Sequence, residues 1–253
     1  MLLACLDDSG SEDQRTMLVG GVITDFDAWS TLADKWPRLL RKYEMPEFHM
    51  AKIGNLTLGW RRKKRQLMMA DFVRAVLNLR GQIVAAGVDL QDFKKIREDF
   101  DWKKWDPMVL CLEFALQMCH TYAKSQDDVF GVLLDRSRPD AAARVARLMN
   151  MYGGLKDYGD RFKHWGVETG KDCYLTQAAD LAACVGFRHT RRFLTLGDNK
   201  ADRELNALCG MSFRQPKIAY LDDEGLRPVA EGHKARLSNR RLFSVEACQA
   251  EKS

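Results

Sequence analysis

Two segments of the chain share one grammar. Leu2 to Leu6 is a run of five apolar residues that ends in Asp7-Asp8-Ser9-Gly10, and Val129 to Leu134 is a second such run that ends in Asp135. Short apolar runs closed by turn residues read as strands buried on both faces. Met17 to Thr24, with Gly20-Gly21 inside it, is long enough to return beside the first strand as an antiparallel partner. Asp25 to Tyr43 then places Trp29, Leu32, Trp36, Leu39 and Tyr43 at spacings of three and four, which predicts an amphipathic helix that Pro37 kinks or splits. Glu47 to Ile53 reads as a short extended piece. From Trp60 to Arg80 a second helix carries Met69, Phe72, Val73, Val76 and Leu79 on one face, and Gln82 to Leu90 is strand-like.

Asp106-Pro107 supplies the cap and first turn of a helix that runs to about Tyr122. A helix from about Pro139 to Tyr152, a short strand from His164 to Val167 and an Ala-rich helix from Thr176 to His189 follow; after Arg192 the pattern weakens. Strands alternating with helices predict an α/β fold, a mixed central sheet flanked by helices with an antiparallel pair at its start. No internal repeat or low-complexity linker interrupts the chain. The expectation is one domain over residues 1–253, with a core at about 1–190, helical insertions between the early strands and a C-terminal extension at 193–253.

Composition narrows the class. Apolar residues at 46% and charged residues at 30% exclude disordered and collagen-like chains. The longest apolar runs fall far below the ~20 residues of a membrane span, so no membrane partner is expected. The opening turns acidic at Asp7 without the basic start and longer apolar region of a secretory signal, and the seven cysteines include no C-x-x-C pair. Both features predict a cytoplasmic protein. Net charge is +5, divided as −4 over residues 1–50 and +9 over the rest, a balance compatible with a polyanionic partner held near carboxylates.

Candidate chemistry centres on carboxylates. Neighbouring parallel strands would bring Asp7 and Asp135 to one carboxyl edge of the sheet, where open α/β sheets bind ligands; singly, each equally suits a turn or a helix cap. Asp180 lies in Thr176-Gln177-Ala178-Ala179-Asp180-Leu181-Ala182-Ala183-Cys184, a helix whose small residues predict close packing on the sheet. A carboxylate there is costly unless it meets a base such as Arg188 or a metal. Glu113 is the one charged residue between Pro107 and Cys119, on a stripe with Val109, Leu112, Leu116 and His120, and it needs a cation or His120 as partner. Asp7, Asp135, Asp180 and Glu113 together would be an all-oxygen set for Mg²⁺ or Mn²⁺, and a pair of such ions is suited to phosphodiester cleavage.

Arg61, Arg62, Lys63, Lys64 and Arg65 beside Trp60, with Arg188, Arg191 and Arg192, are candidates for contacting a nucleic-acid backbone, against the alternative of solvated helix faces. Trp29, Trp36, Trp102, Trp105 and Trp165 read as packing residues rather than base-stacking platforms. P-loop, Rossmann, zincin and nucleophile-elbow motifs are absent from the sequence.

Asp7-Asp8-Ser9-Gly10 after a short strand, Gly20-Gly21-Val22, Phe48-His49, an Asp after a later strand and Gln177-x-Ala179-Asp180 resemble the domain of unknown function 3800 family over roughly residues 2–190. That family is regarded as having a ribonuclease H-like fold, and its members are often linked to mobile elements or phage defence. Asp7, Ser9 and Gly10 match its D-E-S-G motif, in which Asp8 replaces the usual Glu; Gln177, Ala179 and Asp180 match Q-x-A-D, and His49 matches a recurring His. Glu113 matches no motif and is placed by analogy, because ribonuclease H-like folds carry a Glu on the helix after the third strand. The resemblance implies a metal-dependent nuclease with Asp7, Asp135, Asp180 and Glu113 as catalytic carboxylates and Asp8, Ser9, His49 and Gln177 in support. A non-catalytic nucleic-acid-binding or adaptor protein on the same fold, and a hydrolase of small phosphorylated metabolites, stand as alternatives.

Overall fold

β1 (Leu2–Ser9) and β2 (Thr16–Asp25) pair antiparallel, with Leu6 opposite Gly21 and Asp7 opposite Gly20. The computed structural model describes residues 1–10, 15–100, 106–135, 142–154, 160–168, 173–196 and 217–231. After β2 come α1 (Phe26–Lys42), a 3-10 turn (Met50–Lys52), α2 (Ile53–Leu56), α3 (Arg62–Leu77), β3 (Gln82–Asp89), α4 (Leu90–Asp99) and α5 (Pro107–Ser125). β4 (Phe130–Asp135), α6 (Ala142–Gly153), β5 (Phe162–Glu168), α7 (Tyr174–Leu196) and β6 (Lys217–Leu221) complete the order, followed by a helix over 223–231. The helical insertion falls between β2 and β3.

The strands form one mixed sheet in the order β5-β4-β1-β2-β3-β6. β1 pairs parallel with β4, β4 with β5 and β3 with β6, while β2 is antiparallel to both neighbours. Among the described strands β2 alone runs against the others, so β1, β3, β4, β5 and β6 all end at the same edge. Helices cover both faces, which is why β2 is buried from Thr16 to Thr24 and β3 along its whole length. α1, α3 and α7 pack with Cys5 and Val22; α4, α5 and α6 pack with Leu2, Ala4, Leu6, Val132 and Leu134. The period-two alternation of each strand thus sorts its side chains between an α7 layer and an α5 layer.

Local chemistry explains the element ends. Asp25, Asp89 and Asp106 accept from backbone N–H groups in the first turns of α1, α4 and α5, at 2.7, 2.8 and 2.8 Å. Pro37 does not split the helix: α1 runs unbroken from Phe26 to Lys42. Pro37 removes one internal hydrogen bond, and the burial of Trp29, Leu32, Trp36 and Leu40 on both sides of it holds the helix together. The extended piece predicted over 47–53 persists only to His49, where the chain turns as Lys52 N–H donates to the His49 carbonyl at 2.9 Å. α4 and β6 are not among the elements expected from the sequence; α4 is short and mostly polar, and β6 is five residues beside β3. Among the described residues no helix is long and apolar enough to cross a membrane.

Candidate functional site

The carboxyl edge gathers its acids by register. Leu6 pairs with Leu134, so Asp7 and Asp135 follow side by side at the ends of β1 and β4. Cys5 and Leu133 face the α7 layer, and alternation puts Asp7 and Asp135 there too. α7 crosses above on small residues: Ala178, Ala179, Ala182 and Ala183 are buried, and a Cβ on Gly20 would lie 3.3 Å from Ala183 Cα. This close approach brings Asp180 down to the edge.

Asp7 is 6% exposed and Asp180 9%. Burial raises the Asp7 carboxyl well above the usual carboxylate range, and the charges of Asp180, Asp135 and Asp8 raise it further; the Asp8 backbone N–H, donating to Oδ1 at 2.8 Å, opposes them. The charges of Asp180, Asp135 and Asp8 therefore all act on Asp7, near the end of β1.

The supporting residues have distinct places. Asp180 Oδ2 accepts from the Met50 backbone N–H at 2.7 Å and meets His49 Nδ1 at 3.0 Å. A carboxylate only accepts, so Nδ1 carries the proton, and this bond raises the His49 pKa. Gln177 is buried, with its side-chain oxygen between two donors from α1 and the segment before the 3-10 turn. Asp8 is half-buried and opposite Val19, on the α5 layer, and reaches Asp7 through its backbone. Ser9 closes β1. Gly10 follows at φ +106°, where a Cβ would come 2.4 Å from the Thr16 carbonyl oxygen, so only glycine makes this turn unstrained.

Glu113 comes from the opposite face of the sheet. It is half-buried on α5, on the other layer, and the groups acting most strongly on Asp7 do not include it. The helix directly after β3 is α4, one element earlier. A carboxylate the sequence reading missed is Glu168, the exposed last residue of β5, which pairs with Asp135 in parallel register and shares its layer. Its signal was the same strand-then-carboxylate grammar, one residue beyond the predicted strand end at Val167.

Arg61, Arg62, Lys63, Lys64 and Arg65 are all exposed at the start of α3, in the layer that carries the carboxylates. Lys64 Nζ lies over the Trp60 ring at 3.9 Å, and Arg65 Nε donates to the Thr57 carbonyl at 3.1 Å. Arg188 is half-buried on α7. The side chains of Arg191 and Arg192, and Trp102 and Trp105 altogether, lie outside the described residues. Trp29 and Trp36 are core residues, and Trp165 packs on the α5-side core.

An all-carboxylate oxygen set fits a hard divalent cation in donor chemistry. Among the described residues no three His, Cys, Asp or Glu side chains are gathered closely enough to hold a metal ion. No protein-family model matches the chain, and no curated protein is significantly similar to it. The functional reading therefore rests on the site itself.

Proposed function

We propose that the chain is a divalent-metal-dependent nuclease of ribonuclease H-like fold that hydrolyses phosphodiester bonds. The observation that carries this reading is Asp7: a buried carboxyl at a sheet edge with the charges of Asp180 and Asp135 acting on it. Such an arrangement raises the free energy of the fold, and a cation would relieve it. The mixed sheet, with carboxylates at the ends of two neighbouring parallel strands, supports the fold reading.

Asp7, Asp135 and Asp180 would hold Mg²⁺ or Mn²⁺ only when drawn closer together than they stand without the ion. The chemistry that a bound ion supplies here is Lewis-acid activation of water and charge neutralisation at the phosphate. Of the two candidates for a fourth carboxylate, Glu168 shares the layer of Asp135 and Glu113 does not. The α7 layer keeps bulk water from Asp7, while Arg61, Arg62 and Lys63 offer exposed cations to a phosphate backbone.

The test is the melting temperature with and without millimolar Mn²⁺. Saturation at 100 times the dissociation constant stabilises the wild type by about 2.7 kcal/mol; Asp135→Asn loses most of that gain, and loses Mn²⁺-dependent cleavage, while remaining folded. A wild type indifferent to Mn²⁺ removes the metal reading.

A second reading, a nucleic-acid-binding or adaptor protein without turnover, is favoured by one observation: Asp180 Oδ2 already holds two protein donors. It predicts salt-sensitive binding without cleavage. In either reading, replacing Arg61, Arg62 and Lys63 together by Ala lowers the slope of log K against log salt by about 0.9 for each duplex phosphate that is no longer neutralised. An unchanged slope assigns the cluster to a solvated face.

A further inference from the structure

Gln177 and Asp180 stand one turn apart on α7 and both close on Phe48, His49 and Met50. Gln177 Oε1 accepts from the Trp36 indole N–H at 2.9 Å and from the Phe48 backbone N–H at 3.0 Å. Both partners are obligate donors, so the atom between them is the oxygen and the amide has one orientation. One turn later Asp180 Oδ2 accepts from Met50 N–H and His49 Nδ1–H. The Phe48 ring packs against Trp36 and Phe72, with ring centroids 5.5 and 4.4 Å away. Three consecutive residues are pinned to the core and to α7, and the last two end on the carboxylate beside Asp7.

An Asp side chain has two torsions, and two donors converging on one oxygen fix both. That constraint matters here because Asp180 and Asp7 repel each other and would otherwise turn apart. The donors are placed by a loop segment whose own anchor is Gln177. Without an acceptor at position 177 the Phe48 N–H and the Trp36 N–H would be buried donors, and the segment would relax to satisfy them with water.

We propose that Gln177 is a positioning residue that acts on the carboxylate site at a distance: it holds the Phe48–Met50 segment, and through the His49 ring and the Met50 amide it sets the orientation of Asp180. The assignment deepens the metal-site reading and rests on it for its functional meaning, though not for its structural test.

The experiment follows Met50 amide hydrogen exchange and the His49 ring ¹⁵N signals in the full-length metal-free protein, at a pH where the ring is neutral. In the wild type the amide is protected and the ring proton sits on Nδ1. A Met50 amide that exchanges like an open loop, or a ring protonated only at Nε2, overturns the proposal before any variant is made. Gln177→Leu and the unbranched Gln177→Met both remove the acceptor, and a variant that folds raises Met50 exchange and loses the Nδ1–H signal while the amides of Val22 and Ala85 stay protected. Unchanged Met50 and His49 signals in a folded variant overturn it. A Mn²⁺ titration of the same proteins completes the test: affinity falls at least about tenfold in the variants, the scale expected for groups that orient a metal ligand. Unchanged affinity with a deprotected Met50 makes Gln177 merely structural and overturns the proposal. A wild type that ignores Mn²⁺ sinks the metal reading, and the exchange and ring signals then still decide the positioning role.

Discussion

If the chain is the nuclease proposed, Asp7→Asn is expected to abolish cleavage and, in metal-free buffer at neutral pH, to raise the melting temperature. The two effects have one origin. Asn keeps the Oδ1 acceptor that the Asp8 N–H uses and removes the charge opposed by burial and by the carboxylates of Asp180 and Asp135. Replacing a buried, like-charged carboxylate by its neutral isostere stabilises the fold by about 1–3 kcal/mol, or about 2–4 °C for each kcal/mol in a chain of this size. Cleavage is lost because the carboxylate that would hold the ion is gone, and with it the Lewis acid that would activate water.

The pH dependence carries the same sign. The folded carboxyl of Asp7 titrates above its unfolded value of about 3.9, so the folded state binds the proton more tightly. The metal-free wild type is spared this cost below the unfolded value, loses stability as pH rises from there through the folded value, and levels off above it. Asp7→Asn lacks this component, and millimolar Mn²⁺ shifts the ranking toward the wild type by stabilising it alone. Denaturant unfolding of both proteins across pH, with and without Mn²⁺, measures all of this. Retained cleavage in Asp7→Asn removes the residue from the mechanism; a less stable Asp7→Asn in metal-free buffer refutes the electrostatic account.

Gly21→Ala prevents folding or costs about 3 kcal/mol or more, for a reason unrelated to the site chemistry. A Cβ at position 21 would lie 1.9 Å from the Cys5 carbonyl oxygen and 2.9 Å from Leu6 Cα. Those are backbone atoms of β1, which cannot give way because β2 is registered against β1 on one side and β3 on the other. Gly54→Ala is the control: a Cβ there meets nothing within 4 Å on a helix, and the substitution stabilises by about 0.5–1 kcal/mol. Soluble yield and thermal melting separate the two, and a Gly21→Ala protein as stable as wild type contradicts the strand packing.

Much of the frame was legible in the sequence because its causes are local. The apolar runs before Asp7 and Asp135, the Asp106-Pro107 cap and the three- and four-residue spacing from Trp29 to Tyr43 each report burial or capping within a few residues, and α/β layering follows from their alternation. Small residues around Asp180 announced close packing for the same reason. Periodicity, however, says that a face is buried and not what buries it. The partner of His49 lies 131 residues away and that of Phe48 N–H 129, distances at which no local pattern constrains the pairing. The register that sets Glu168 beside Asp135, the separation of Glu113 onto the other layer and the turn at His49 were likewise decided by strand pairing and by α7 descending onto Gly20. The sequence by itself determined which segments are buried and where carboxylates end strands; only the tertiary structure decided which of those carboxylates meet, because like charges are brought together by backbone hydrogen bonds and apolar packing elsewhere in the fold, and not by any attraction of their own.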